Sequence, residues 1–459
     1  MRPKISWSDL AGARVGVWGL GVEGAANLRR LQQLGVDDPV LVDDRPPDGR
    51  AGGPAVLATG GGGLAALLNC EVVVKTPGIS RYRPEVATLE AHGVAVVGGL
   101  GLWMEEAPLE RVALVTGTKG KSTTTALASH LATGLGHRCL AAGNIGRPPW
   151  DPDVDDGPHD YYIVEASSYQ ATDLASSPPV VVVTSLDPDH LDWHGDTATY
   201  YRDKLSACTQ PGADLTVADG DSPALRAHAD LLGPRVRWVS ARDHSLDGGW
   251  TARLGLLGAH NHRNALLARA CLLGLGVPGA DDPAALVQAA EHFGALESRL
   301  QPIGSVGGVR FVDDGLATNV LPTVAALDAM GDDRVALLAG GYDRGIDYAP
   351  LGRAVRRRAA PTLVATLPDS GPRIRRALLD AGVPGGSVLD CPDLASAVAA
   401  GFAWAAPDGV VLLSPAAPSF GRYRSYRDRA ADFAAAMEAC RGGGPGADVS
   451  RPEAAAPKD

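Results

Sequence analysis

Short apolar runs punctuate the chain at residues 14–19, 39–44, 71–75, 112–116, 161–166, 180–185, 309–314, 334–340, 362–366 and 410–415. Each is followed by turn residues and then by a stretch with the apolar spacing of a helix. Continuous apolar runs of this length are expected of strands buried on both faces, and the helical stretches between them supply crossovers. The pattern predicts an α/β protein built on parallel sheets. No repeat of fixed period underlies it.

With 459 residues, the chain has room for about three domains at roughly 150 residues each. One boundary is expected near residue 108, before the run at 112–116, and another near residue 300, where a fresh strand begins. The expected domains are therefore 1–107, 108–299 and 300–440, and the tail 441–459, rich in Gly, Ala and Pro, reads as disordered. Charge narrows the partners. Forty-two Lys and Arg against 53 Asp and Glu leave a formal −11, which argues against a nucleic-acid binder and for small-molecule substrates. Six cysteines lack any C-x-x-C pairing, no basic and apolar leader opens the chain, and no apolar run reaches the roughly 18 residues of a membrane span. A cytoplasmic enzyme, not inserted in a membrane and without structural zinc, is expected.

Two glycine-rich corners carry the first chemistry. After the run at 112–116 come Gly117, Thr118, Lys119, Gly120, Lys121, Ser122 and Thr123, then a helical pattern. Glycines let backbone N–H groups face phosphate oxygens, Lys121 adds a fixed charge, and the Ser122 hydroxyl suits Mg²⁺. The common phosphate-loop pattern G-x-x-x-x-G-K-[ST] has a glycine where this chain has Val115, so a shorter loop is expected. Near the N-terminus, Gly19, Gly21 and Gly24 form G-x-G-x-x-G after a strand, with Asp43 and Asp44 about 20 residues on. That fingerprint indicates a diphosphate at a helix N-terminus, whether of a dinucleotide or of a UDP-sugar. Glu165 and His190 follow two further strands. Strand ends of an open parallel sheet face the ligand crevice, so both residues are candidates to join Ser122 around metal-bound phosphates, although His190 also fits a turn residue preceding a helix. Lys204, by its residue type and helical setting alone, reads as a solvated lysine.

Taken in order, "GTKGKST" (117–123), "GNIG" (143–146), "EASSYQ" (165–170), "DHLDWHG" (189–195), "GAHNHRNALLA" (258–268), Ser298-Arg299, "DDGLATN" (313–319) and "LLSPAAPSF" (412–420) resemble the Mur ligases, ATP-dependent enzymes that build the peptide stem of peptidoglycan. The resemblance extends to about residue 437. It implies three domains: an N-terminal Rossmann-like domain for the UDP substrate, a central P-loop ATPase-like domain with a parallel sheet, and a C-terminal Rossmann-like domain for the amino acid. It further implies that the substrates are UDP-N-acetylmuramoyl-L-alanine and glutamate, with ATP and Mg²⁺, on a monomeric protein. By resemblance, Gly117 to Thr123 hold the ATP phosphates, Asn261 and Asn264 face the adenine, and Arg299 and Asp314 close on the nucleotide. Ser122, Glu165, His190 and a carbamylated Lys204 form the metal set, and Lys121, His190 and Lys204 the catalytic one. Gly19, Gly21, Gly24, Asp43, Asp44, Arg45, Asn144 and the loop at 75–80 receive the UDP substrate, with His190 also touching its muramoyl part. Thr318, Arg344, Ser419 and Tyr426 hold the amino acid.

Departures gather at the amino-acid end. Glutamate-adding relatives that use the D enantiomer carry basic residues where this chain has Leu316, a lysine in place of Arg344 and a phenylalanine in place of Tyr426. That pattern favours the branch of the family that adds L-glutamate over the D-specific one. Folylpolyglutamate synthase shares the phosphate loop but not the N-terminal fingerprint. A nicotinamide oxidoreductase leaves the phosphate loop, Glu165 and His190 idle, and a non-catalytic UDP-sugar binder has no need of Lys121 or His190.

Overall fold

A computed structural model describes residues 2–46, 55–154 and 157–442 of the protein. Three sheets follow one another along the chain. The first holds β1 (Val15–Trp18), β2 (Val40–Asp43), β3 (Val56–Ala58), β4 (Val72–Lys75) and β5 (Ala95–Gly98), all parallel in the order β3-β2-β1-β4-β5. The chain leaves β1 in one direction and returns on its other side at β4, so a crevice opens at the carboxyl end of β1, where the Gly19–Gly24 corner lies.

In the second sheet, β6 (Val112–Thr116), β7 (Cys139–Gly143), β8 (Tyr161–Glu165), β9 (Val180–Val183), β10 (Leu215–Asp219) and β11 (Val236–Val239) run parallel in the order β11-β10-β9-β6-β8-β7. Val115 is opposite Glu165 and Thr116 opposite Val183, so β6, β8 and β9 end at one level. Val115, which occupies the place of the missing glycine, is a buried strand residue. The loop therefore starts after β6, at Gly117.

The third sheet, β12 (Gln301–Val306), β13 (Val309–Asp313), β14 (Val335–Ala339), β15 (Thr362–Thr366), β16 (Val388–Asp390) and β17 (Val410–Leu413), has the order β12-β13-β17-β14-β15-β16. It corrects the expectation of parallel sheets at one edge: β12 pairs antiparallel with β13 across the tight turn Gly307-Gly308. A two-residue connection cannot make a parallel crossover.

By compactness the chain forms two units, 1–255 with 260–293, and 256–259 with 294–459. The first contains two sheets because they share one core. Trp7, Leu100, Trp103 and Trp150 join β1 and β4 side chains to those of β6, β8 and β9 in a single buried cluster. Trp7 donates to the Gly99 carbonyl and Trp150 to Asn27 Oδ1, so neither indole N–H is wasted in that core. A buried ionic group adds direction: Lys75 Nζ and Arg81 Nε donate to opposite oxygens of Asp173 at 2.5 and 2.6 Å. Replacing one partner would leave a buried charge unmatched, which makes this arrangement specific in geometry. The last helix runs from Tyr426 to Gly442, and the rest of the expected tail, 443–459, lies outside the described residues.

Candidate functional site

The corner after β6 has the geometry of an anion cradle. Gly120, at φ 88°, is the N-cap of the helix Lys121–Gly134, and a Cβ there would lie 2.6 Å from Asn264 Oδ1. Only glycine meets both conditions. No acidic side chain occupies the first turn, so the positive end of the helix is unopposed by its own residues. Lys121 Nζ folds back on the loop, donating to the carbonyls of Gly117 at 3.0 Å and Thr118 at 3.3 Å. The loop is pinned from β9: Thr184 Oγ1 donates to the Lys119 carbonyl, and the Lys119 N–H donates to Ser185 Oγ. Thr118 Oγ1 accepts from the Asp187 N–H and lies 3.0 Å from the Tyr200 hydroxyl. Ser122 and Thr123 are buried in the first helical turn, and Lys119 reaches Asp189 at 3.5 Å. Asn261 and Asn264 are buried together, the Asn264 amide donating to Asn261 Oδ1.

Glu165 closes β8 beside this loop and is 1% exposed. Its Oε1 accepts from Asn144 Nδ2 at 3.0 Å, whereas Oε2 is buried without a hydrogen-bond partner. An orphaned buried carboxylate oxygen is costly unless a cation completes it. No three His, Cys, Asp or Glu side chains gather as a metal-holding group among the described residues. The solvated lysine expected from residue type alone is overturned: Lys204 is 2% exposed, and its Nζ donates to the same Gly117 carbonyl that holds Lys121. Burial, reinforced by Lys121, pushes its ammonium well below the usual lysine range. His190 is partly exposed, adopts φ 53° before the turn Leu191–His194, and makes no side-chain cap. Burial and the nearby lysines depress its charged form, against the pull of Asp189. Lys121, Lys204, Glu165 and His190 thus converge on one loop.

The corner after β1 is built for a different load. A Cβ on Gly24 would meet the Gly19 carbonyl oxygen at 2.2 Å, so the helix Val22–Gln33 packs this closely only with glycine there. Asp43 accepts from the N–H groups of Leu20 and Arg45, fixing the loop that contains Gly21. Asp44 accepts from Thr59 Oγ1 and Arg83 Nη1. Both acids of the fingerprint therefore brace their surroundings. Glu23 is a residue that sequence reasoning missed. It stands in the first turn of that helix, accepts from Gln170 Nε2 at 2.7 Å, and burial pushes its carboxyl up to about 7. Nothing local in the sequence announces its partner, which is 147 residues away.

The second unit brings Ser298, Arg299 and Asp314 to the ends of β13 and β17. Ser298 Oγ donates to Asp313, and Asp314 accepts from Ser414 Oγ and the Leu300 N–H. Burial raises Asp314 to about 7. Ser419 lines a cleft of about 180 Å³ together with Asp369, Arg422, Tyr423 and Arg429. Thr318, Arg344 and Tyr426 are not among its lining residues, and Arg344 is exposed. Arg422 and Arg429, which line it, carried no role in the sequence reading.

Residues 115–247 match the Mur ligase middle domain, and residues 298–417 match the Mur ligase glutamate ligase domain. The chain is similar to the UDP-N-acetylmuramoyl-L-alanine--L-glutamate ligase of a Micromonospora species, 41% identical over 94% of this chain and 97% of that one. It is 38% identical to the ligase of the same name from Xanthomonas euvesicatoria pv. vesicatoria, over 93% of this chain and 95% of that one. Among solved structures, the fold resembles UDP-N-acetylmuramate-alanine ligase MurC from Thermotoga maritima, with a TM-score of 0.56 at 16% identity, covering 93% of this chain and 99% of that one. It also resembles folylpolyglutamate synthase from Mycobacterium tuberculosis, with a TM-score of 0.53 at 16% identity, over 71% of this chain and 91% of that one.

Proposed function

The chain belongs to the Mur ligase family of ATP-dependent amide ligases, and from that premise we propose that it joins L-glutamate to UDP-N-acetylmuramoyl-L-alanine. The observation that carries the reading is the convergence of Lys121, Lys204 and the unpartnered Glu165 Oε2 on one phosphate loop. A carboxylate is a poor electrophile, so the terminal carboxylate of the alanyl substrate attacks the γ-phosphoryl of ATP, giving an acyl phosphate and ADP. The amine of glutamate then attacks the acyl carbon, loses a proton, and phosphate leaves.

In this reading the backbone from Gly117 to Thr123 orients the phosphates, and Lys121 moves from the loop carbonyls to the transferring phosphoryl, where charge builds up. Asn261 and Asn264 are assigned to the adenine, and Arg299 and Asp314 to the nucleotide. Mg²⁺ would be held by Ser122, Glu165, His190 and Lys204, and would supply neutralisation of phosphate charge. Lys204 is proposed to carry a carbamate, because a buried amine with a depressed charge can react with CO₂ and so become a carboxylate-like ligand. Asn144, through its bond to Glu165, stands where the muramoyl end is to be received. The corner Gly19, Gly21, Gly24 with Asp43, Asp44 and Arg45 takes the uridine diphosphate. Thr318, Arg344, Ser419 and Tyr426 are assigned to glutamate. The protein is proposed to act as a cytoplasmic monomer, and no helix among the described residues is long and apolar enough to cross a membrane.

Handedness is the finer step. Leu316 offers no cation, and Arg344 offers a planar fork in place of an ammonium point charge, so a carboxylate must be held along a different direction. The names of the relatives support the same choice. Protein incubated with ATP, UDP-N-acetylmuramoyl-L-alanine and each glutamate enantiomer at equal concentration should form product with L-glutamate. Preference for the D form would overturn the handedness alone, and no product with either would overturn the substrate assignment.

A further inference from the structure

Beside the phosphate loop, four side chains form a continuous polar chain that the reaction above does not use. Ser168 Oγ lies 3.0 Å from His194 Nε2, His194 Nδ1 donates to Asp203 at 2.7 Å, and Asp203 accepts from the Tyr82 hydroxyl at 2.8 Å. The connectivity is that of a serine–histidine–aspartate triad, but Ser168 is 1% exposed, so a nucleophilic role has no access. His194 is enclosed, with its ring set among Tyr169, Trp193 and Tyr200.

What the chain joins gives it meaning. Ser168 is three residues after Glu165, and Asp203 immediately precedes Lys204. Tyr169 packs on His190 at 5.1 Å, and Tyr200, edge-on to His194, reaches Thr118 of the phosphate loop. Tyr82 lies in the loop that follows β4, and that loop also rests on the Leu191–His194 turn through Ser80 and through Tyr82 against Trp193. The helical turns Ser168–Ala171 and Leu191–His194 are each four residues long, and pieces this short do not hold themselves. Side-chain pins must fix them, and His194 is the pin common to both.

We infer that Tyr82, Asp203, His194 and Ser168 are positioning residues that register the loop after β4 against Glu165, His190 and Lys204, so that seating the uridine end of the substrate sets the phosphoryl-transfer site. The inference rests on the reading of the first sheet as the uridine diphosphate site. Its signature is reciprocal: a change at either end is felt at the other.

Tyr82 is 54% exposed, so Tyr82→Phe deletes one hydroxyl without opening the core. The test measures UDP affinity by calorimetry, turnover with UDP-N-acetylmuramoyl-L-alanine, and melting temperature, in wild type, Tyr82→Phe, Asp203→Asn and the double variant. Each single variant should weaken UDP and lower kcat by about five- to tenfold, the scale of an ordinary coupling between sites. The melting temperature of Tyr82→Phe should stay at the wild-type value. The double variant should be no worse than the more impaired single one, because both break the same chain. Additive losses, or UDP affinity unchanged in Asp203→Asn, would overturn the inference. Wild type that binds UDP but forms no product would sink the substrate assignment alone, and wild type that fails to bind UDP would sink both.

Discussion

The two glycine corners of the first unit share a plan: a buried parallel strand, a turn that only glycine can make, and a helix whose N-terminus faces the crevice. Their electrostatics differ. The corner after β6 has no acid in its first turn, and its loop gathers Lys119, Lys121 and Lys204. The corner after β1 has Glu23 in the first turn, and its flanking acids are spent on backbone N–H groups and on Arg83. Backbone geometry can cradle a phosphate in either place, but only the cationic corner is equipped to stabilise charge that grows during a reaction. Geometry makes a binding site; the surplus of positive charge makes it reactive.

The largest expected effect comes from removing that surplus. Lys121→Ala should lower kcat by roughly 10³-fold, the scale of losing a preorganised charge-stabilising group, with the far-ultraviolet circular dichroism unchanged. Activity close to that of wild type would erase the contrast between the corners. The carbamate proposed for Lys204 predicts a smaller and partly reversible loss. Lys204→Ala should fall roughly 10²-fold and regain activity in formate or acetate, because a free carboxylate can enter the vacated space. A variant as active as the parent, or one indifferent to carboxylates, would argue that Lys204 acts only as an ammonium.

Much of this contrast was legible along the chain, and the reason it was not all legible is physical. Strands such as Val112–Thr116 and Val410–Leu413 are buried on both faces, so their apolar runs stand out in one dimension. Short edge strands do not: Val56–Ala58 and Val388–Asp390 have three residues each and half-exposed or exposed positions. The glycine turn after β6 and the helix that follows it were readable because every part of them is local. Lys204 was not readable from residue type, because its burial depends on Gly117, 87 positions away. The same holds for Glu23 with Gln170, for Tyr82 with Asp203, and for the fused core of the first two sheets, where Trp7 meets Trp150. Arg429 is another case: its guanidinium donates to the Gly315 carbonyl from deep within the second unit, and burial lowers it to about 10.

The smallest effect tests the other corner. Burial pushes the Glu23 carboxyl up to about 7, against Lys75 and the Gln170 amide, which favour its charged form, and with Asp173 opposing it. A carboxyl raised in the folded state holds its proton there after the unfolded chain has released it. Between about pH 4.5 and 7 the folded state therefore binds more protons, and stability falls as pH rises through that window. Below it the contribution vanishes, and above it the full cost of burying the anion is present. Glu23→Gln keeps the acceptor for Gln170 and removes the titration. Relative to wild type, the variant should gain on the order of 1–2 kcal/mol between pH 5 and pH 8, allowing for partial exposure and relaxation. At the usual unfolding entropy per residue, a protein of this size converts that into a rise of about 1–3 °C in the melting-temperature difference. Asp314, also raised to about 7, titrates alike in both proteins and cancels from the comparison. A melting-temperature difference that stays flat from pH 5 to pH 8 would mean that Glu23 is solvated in the folded protein, and that the two corners differ only in their lysines.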